Sequence, residues 1–556
     1  MNMRLFGLAV ALLSFGAVGS AAEAQVGKPF DLQAFIDKGL KAGRRRITVP
    51  PGRYRATPHD RVHLRLAGLK DVTIIADGVE MICTETTAAL QVVDCARVKL
   101  QGLTIDYDPL PYTQGRITAI SPDRSEHTIA LFDGFPDAAS VRNFKYEIYR
   151  PDMRLLRCDA EMRLTYYPSA VEVIDPGHIR VTKGSGAPTD PEKVGDIVVI
   201  ASEHAPGGSI PHAVTVERCT AVELTRVTVW ASNCFGVLEL EGDGNTYREC
   251  RIDRRPPAQD LVKRADPRIR SLNADAFHSI GSTKGPSIIG CSARFMGDDA
   301  VNIHGSYSMV TACSGAKLRV LLNGAAPRVG EPVELVTYEG VRLPDATVTA
   351  CAPAAGISAE ERAFLMRQAM NDDIRSRRLT DAVVVTLDRA VEMPMGSVMA
   401  CAKRIGNGFL VSGCDFGFNR SRGILIKASD GQVIGNRITG GWMAAILVSP
   451  EYWWLEAGSS CGVRIAGNTI TDCGGAAIVV EAQGGAGRTA PAGAHRDVVI
   501  KGNSIADSPM PAIRVTSTQR LIVQGNRVTK PVGPKGAEPV KLEQCSDVTS
   551  AGNRVR

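Results

Sequence analysis

Two short phrases alternate along the second half of this chain, and their spacing leaves few folds open. One is Gly-Asn followed by a β-rich run: GNRIT at Gly435, GNTIT at Gly467, GNSIA at Gly502, GNRVT at Gly525 and GNRVR at Gly552. The other is a small residue followed by apolar-x-apolar. It occurs as GVLEL at Gly236, AFHSI at Ala276, AVNIH at Ala300, GILIK at Gly423, AILVS at Ala445, AIVVE at Ala477 and AIRVT at Ala512. Ala276 and Ala300 lie 24 residues apart, and Gly423 and Ala445 lie 22 apart. Such short strands at a near-fixed interval, without tight hairpin dipeptides, describe a solenoid. A coil of this length fits a right-handed parallel β-helix whose coils stack about 4.8 Å apart. An antiparallel sandwich would need hairpin turns at alternate links, and the chain does not offer them. The Asn after each Gly suits a turn position that tolerates left-handed backbone and bonds locally.

The first half carries the same grammar more faintly, in the runs beginning at Val72, Cys95 and Cys219. Phe30–Gly43 is amphipathic and predicts a helix capping the open end of the solenoid. Two stretches break the rhythm with longer β-runs separated by Pro and Gly, and each predicts a small β-barrel-like module inserted into the solenoid. The second also carries a helical pattern over Ala359–Met370. The expected division is a leader (1–24), an N-terminal cap with the first coils (25–113) and a first module (114–209). Coils 210–316, a second module (317–404) and C-terminal coils (405–556) follow.

Residues 1–24 have the marks of a secretory signal. Arg4 is followed by an apolar run over Leu5–Val18 and by Ala22-Glu23-Ala24, a small-x-small cleavage pattern. The run is too short to span a bilayer, so an exported protein without stable membrane insertion is expected, in periplasm or medium. A net charge of +6 with dispersed Arg, and no stripe of basic and aromatic residues, argues against nucleic acid as a partner. The 14 cysteines form no CxxC pair or zinc pattern. Cys95, Cys219, Cys250, Cys291 and Cys414 each precede a strand, which suggests small buried turn residues.

Aligning the small-residue phrases stacks the coils. Phe277, Val301, Ile424 and Ile446 then point inward, while His278, Asn302, His304 and Lys427 point outward. Asp275, Asp299 and Arg422 form a further column, which faces outward only if the backbone bends at the small residue. Asp298 and Asp299 are neighbours and reach one site only at a corner, for which Gly297 is suited. Like charges one coil apart repel, so at least one carboxyl should stay protonated. Glycoside hydrolysis uses such a set, with one protonated and one ionised carboxyl. Trp442, Trp453 and Trp454 lie just beyond these coils, beside Glu451 and Tyr452. Trp442, Glu451 and Trp453 join His278, Asn302, His304, Arg422 and Lys427 as candidate substrate-binding residues.

NADAFHS (273–279) and GDDAVNIHG (297–305), together with IDYDPLPYTQG (105–115), resemble glycoside hydrolase family 110. The resemblance implies a β-helix with two inserted β-modules and an exo-acting α-1,3-galactosidase. It implies inversion, neither cofactor nor metal, and an α-galactoside oligo- or polysaccharide as substrate. It also implies that Asp298 is the general acid and that Asp275 and Asp299 hold and activate water. A homodimer could use the β-modules as surfaces. Two alternatives stay open. A polygalacturonase-like hydrolase would use Arg422 and Lys427 on an acidic sugar, and a non-catalytic carbohydrate-binding β-helix would use the aspartates for calcium or sugar alone. A lyase with Lys427 as base fits the paired aspartates less well.

Overall fold

The structure is a computed structural model that describes residues 30–140, 145–152, 165–166, 168–183, 192–201, 211–534 and 536–556. The expected export leader lies outside the described residues. Among them, no helix is long and apolar enough to cross a membrane.

The repeat folds as a parallel β-helix with three parallel sheets. The first runs from Arg46–Thr48 to Ser546–Ala551, and the second from Gly52–Ala56 to Arg554–Val555. The third runs from Val62–Ala67 to Val540–Glu543. Each coil contributes one short strand to each sheet, and the middle residue of the three-residue strands faces inward. Ile288, Val411, Val433 and Ile465 stack this way in the first sheet. A single continuous core extends from Leu32 on the N-terminal helix to Val528 near the last coil. Burying each such side chain contributes about 1.5–3 kcal/mol, so stability is distributed along the solenoid.

Two turns shape each coil. The Gly-Asn turn joins the first sheet to the second, and there the glycine takes the left-handed backbone, as at Gly467 with φ 64°. The asparagine does something else than the sequence suggested. Asn436, Asn468, Asn503 and Asn526 are buried and form a ladder along the helix axis. The Asn468 amide donates to Asn503 Oδ1 at 2.9 Å and to the Val433 carbonyl at 3.0 Å, while its Oδ1 accepts from Asn436. The ladder satisfies turn amides that would otherwise be orphaned in the core. The second turn joins the second sheet to the third and carries the small residue. A Cβ on Gly423 would lie 2.4 Å from the Ala445 carbonyl oxygen, so the next coil passes too close for a larger side chain.

The N-terminal cap is the helix Leu32–Lys41, begun by Asp31, whose carboxylate accepts from the Ala34 amide at 2.9 Å. The first inserted module leaves the coil between the second and third sheets. It is a seven-stranded antiparallel sheet that includes Tyr112–Ile120, Glu126–Leu131, Tyr146–Tyr149 and Ile197–Ala201. The second leaves after the strand Val301–Ser306 and closes into a six-stranded barrel, from Ser308–Ser314 to Val398–Cys401. It carries the helix Ala359–Arg367, which opens on a capping box between Ser358 and Glu361. The five cysteines before strands are buried thiols.

Candidate active site at the corner between the second and third sheets

Asp275 precedes the strand Phe277–Ile280, and Asp298 and Asp299 precede Val301–Ser306 on the next coil. The register pairs Phe277 with Val301 and Val301 with Ile424. Asp275, Asp299 and Arg422 therefore stand in one column, and Phe277 and Val301 lie in the core. The column turns away from the core because the backbone bends before each small residue. At the corner, a Cβ on Gly297 would lie 2.7 Å from the Asn273 carbonyl oxygen, so the close approach requires glycine. Arg420 Nε donates to the Gly297 carbonyl at 2.6 Å, and Lys145 Nζ donates to the Asn273 carbonyl at 2.6 Å. One carboxylate oxygen from each of Asp275, Asp298 and Asp299 lies within 4.8 Å of the others. The Asp299 amide donates to Asp275 Oδ1 at 3.1 Å, which ties the two coils together at the site.

The three carboxyls differ in charge. Asp298 has a side chain 30 % exposed. Burial works against its charge, yet Arg420, Lys145 and Arg422 outweigh that and hold it below the ordinary range. Arg420 bonds it directly. Asp299 is 2 % exposed. Burial pushes it up to about 8; Asp275, Asp298 and Glu451 add to that push, and Arg422 opposes it. Asp275 is raised by burial against its bond to His278. The cluster thus holds a proton on its buried pair at neutral pH. Asp298, the acid implied by the family resemblance, is the member held in its ionised form.

The outward row of the third sheet extends the site into a closed circuit of polar contacts. Arg422 reaches Asp299 at 2.9 Å and Glu451 at 3.5 Å. Lys427 reaches Glu451 at 3.3 Å and Glu456 at 2.7 Å. His304 stands 3.6 Å from Glu456 and 2.9 Å from His278, and His278 returns to Asp275 at 2.7 Å. Asn302 sits inside the circuit, donating to Glu456 and accepting from Lys427, both at 3.3 Å. The site residues expected on Asp275, His278, Asp298, Asp299, Asn302, His304, Arg422, Lys427 and Glu451 therefore come together.

The tryptophans divide. Trp453 is 49 % exposed on the hairpin whose feet are Glu451 and Glu456. Trp442 is buried at 8 %, so it does not offer the open ring face expected of a sugar platform.

Four residues of the site carried no motif in the sequence. Arg420 and Glu456 flank recognised residues, but no repeat marks them. Lys145 and Glu147 lie on the first module's strand Tyr146–Tyr149 and its leading edge. Glu147 stands 3.2 Å from Arg420 and 3.3 Å from Lys145, and it also bonds Arg270. The module thereby locks the guanidinium that holds Asp298. A buried acid among three buried cations is a signal that appears once the fold is known.

No family model matches the chain. An alpha-1,3-galactosidase A of Shewanella woodyi is 21 % identical over 519 residues, covering 88 % of this chain and 79 % of its own length. The protein of the same name from Bacteroides fragilis is 22 % identical over 590 residues, covering 94 % of this chain and 87 % of its own. Among solved structures, a family 28 exopolygalacturonase of Yersinia enterocolitica is similar over 95 % of this chain and 77 % of its own at 10 % identity, with a TM-score of 0.43. Both galactosidases are similar to this chain along most of its length, which supports its resemblance to glycoside hydrolases of the family 110 type.

Proposed function

We propose that the protein is an exported, exo-acting hydrolase that releases terminal α-1,3-linked galactose from oligo- or polysaccharides with inversion. The observation that carries this reading is the gathering of Asp275, Asp298 and Asp299 within 4.8 Å at a corner, in a chain whose long-matching relatives are named alpha-1,3-galactosidases. Asp298 is the most exposed of the three and faces the incoming glycosidic oxygen. Asp275 and Asp299 hold the water between them. The water attacks the anomeric carbon, its proton passes to the buried pair, and the bond to the leaving oxygen breaks as Asp298 protonates it. The proton that Asp298 needs is held by the buried pair Asp275 and Asp299. A sugar that covers Asp298 strips its water and disfavours its ionised form.

An inverting pair usually stands about 6.5–9.5 Å apart and a retaining pair about 5 Å. The trio lies nearer the second value. Two of its carboxyls can cradle the water jointly, so the water need not fit between an opposed pair, and inversion stays compatible with the spacing. Polygalacturonase-like and lyase chemistry lose support. Lys427 is buried against Glu451 and Glu456, and Arg422 is paired with Asp299 and Glu451, which leaves neither cation available to an acidic sugar. The test is digestion of α-1,3-galactobiose with the first product followed by NMR. β-Galactose is expected. α-Galactose would replace inversion by retention, and no galactose release would overturn the reading.

A further inference from the structure

We propose that His278, His304 and Glu456 form a binding site for a transition-metal dication of the zinc class, beside the aspartate trio. One ligand atom from each lies within 4.8 Å of the others. His304 Nδ1 is 2.7 Å from the Gly305 carbonyl, which can only accept, so Nδ1 carries the hydrogen and Nε2 presents a lone pair. That lone pair points at His278 Nε2, 2.9 Å away. His278 Nδ1 is 2.7 Å from Asp275 Oδ2. When Asp275 is ionised, His278 Nδ1 donates to it and Nε2 also turns a lone pair toward His304. Two imidazole lone pairs aimed at one point need a cation between them, either a proton or a metal ion. Glu456 Oε1 completes the set at 3.6 Å from His304 Nε2.

The distances suit a metal. A tetrahedral zinc ion with bonds of about 2.0–2.1 Å places its ligand atoms about 3.3 Å apart. The observed 2.9 and 3.6 Å bracket that value. The outer partners match as well. Metal-ligating histidines usually give their other nitrogen to a carboxylate or a backbone carbonyl, which is what Asp275 and Gly305 supply. Lys427 and Asn302 hold the far oxygen of Glu456, at 2.7 and 3.3 Å. The ring of His278 is fixed by stacking on Phe235, with centroids 4.3 Å apart. The residues come from rigid elements: two neighbouring strands of the third sheet and the strand Glu456–Ala457 that pairs with Gly305 and Ser306.

The test uses the full chain, stripped with a chelator and dialysed against zinc chloride at neutral pH. One ion per chain is expected above the amount held by a His278→Ala/His304→Ala double variant. Glu456→Gln should weaken binding by about tenfold or more. Cobalt(II) in place of zinc should give the visible absorption of a four-coordinate ion, a readout that needs no variant to fold. Zinc uptake equal in wild type and double variant, or a six-coordinate cobalt spectrum, would overturn the proposal. Binding is independent of the hydrolase reading. Coupling through Asp275 rests on that reading, so a zinc-dependent change in galactose release measures the coupling separately.

Discussion

Replacing Arg420 by methionine isolates what keeps Asp298 ionised. The guanidinium bonds Asp298, donates to the Gly297 carbonyl at 2.6 Å and stands 3.2 Å from Glu147. Methionine keeps most of the apolar stem and removes the charge. A unit charge about 3 Å away in a medium of effective dielectric near 20 is worth at most about 5 kcal/mol. Opposite charges at such range move a carboxyl by about 1–3 pK units in practice. Lys145 and Arg422 remain near Asp298, so a rise of that size is expected, not full neutralisation. The titration belongs to the coupled cluster. A cluster that holds its proton more tightly keeps its acid to higher pH. The alkaline limb of kcat/KM for α-1,3-galactobiose should therefore move up by about 1–3 pH units. Glu147 retains Arg270 and Lys145, but a buried pair is broken, so a stability loss of about 3–5 kcal/mol accompanies the change, and thermal melts establish the working temperature. A folded variant with an unmoved limb would refute the claim that Arg420 sets the charge on Asp298.

Asp299 makes stability depend on pH. Its folded carboxyl keeps its proton to about pH 8, whereas in the unfolded chain it ionises near pH 4. The folded state binds the extra proton between those values, so this contribution is full below about pH 4, falls through the window and is absent above about pH 8. Asp299→Asn should flatten the melting temperature against pH across that window. Asn503→Leu removes the bonds from Asn503 to Ile465 and Asn526 and orphans the Asn468 amide. A loss of about 2–5 kcal/mol is expected from groups costing about 1–3 kcal/mol each, read as a urea midpoint, with a far smaller loss for Asn553→Leu at the half-exposed end. Trp453→Ala should raise KM for oligosaccharides while leaving the melting temperature within about 1 °C, as an exposed side chain requires.

The coil period made much of this molecule legible. Once Ala276, Ala300 and Gly423 are aligned, a parallel ladder leaves no freedom in register, and the Asp275–Asp299–Arg422 column follows. The bend that exposes it was legible too, because three charged residues cannot all face an apolar core. The period says nothing about segments that leave the solenoid. Lys145, Glu147 and Glu456 arrive from an inserted strand and from a hairpin, and their partners lie far away in sequence. Arg420 belongs to the coil but bonds a residue on its neighbour, and the repeat does not distinguish it from any surface arginine. The Gly-Asn turn was read for its backbone preference, whereas the buried Asn ladder depends on the next coil supplying both donor and acceptor. The raised carboxyl of Asp299 likewise follows from its burial beside Asp275, Asp298 and Glu451, which no local pattern encodes.

The column of small residues has a consequence for how this active site can fail or change. Because Asp275 and Asp299 hang from adjacent rungs of one hydrogen-bonded ladder, their separation is a gauge length set by the main chain. No side-chain substitution elsewhere can stretch it, and a whole added coil would double it. Altered chemistry on this scaffold must come from changing which residue occupies a rung. Heating should act the same way. The rungs persist until the solenoid melts, while the first module, whose Glu147 clamps Arg420, is attached at its side, so inactivation should begin with the loosening of that wall while the spacing of the acids is still intact.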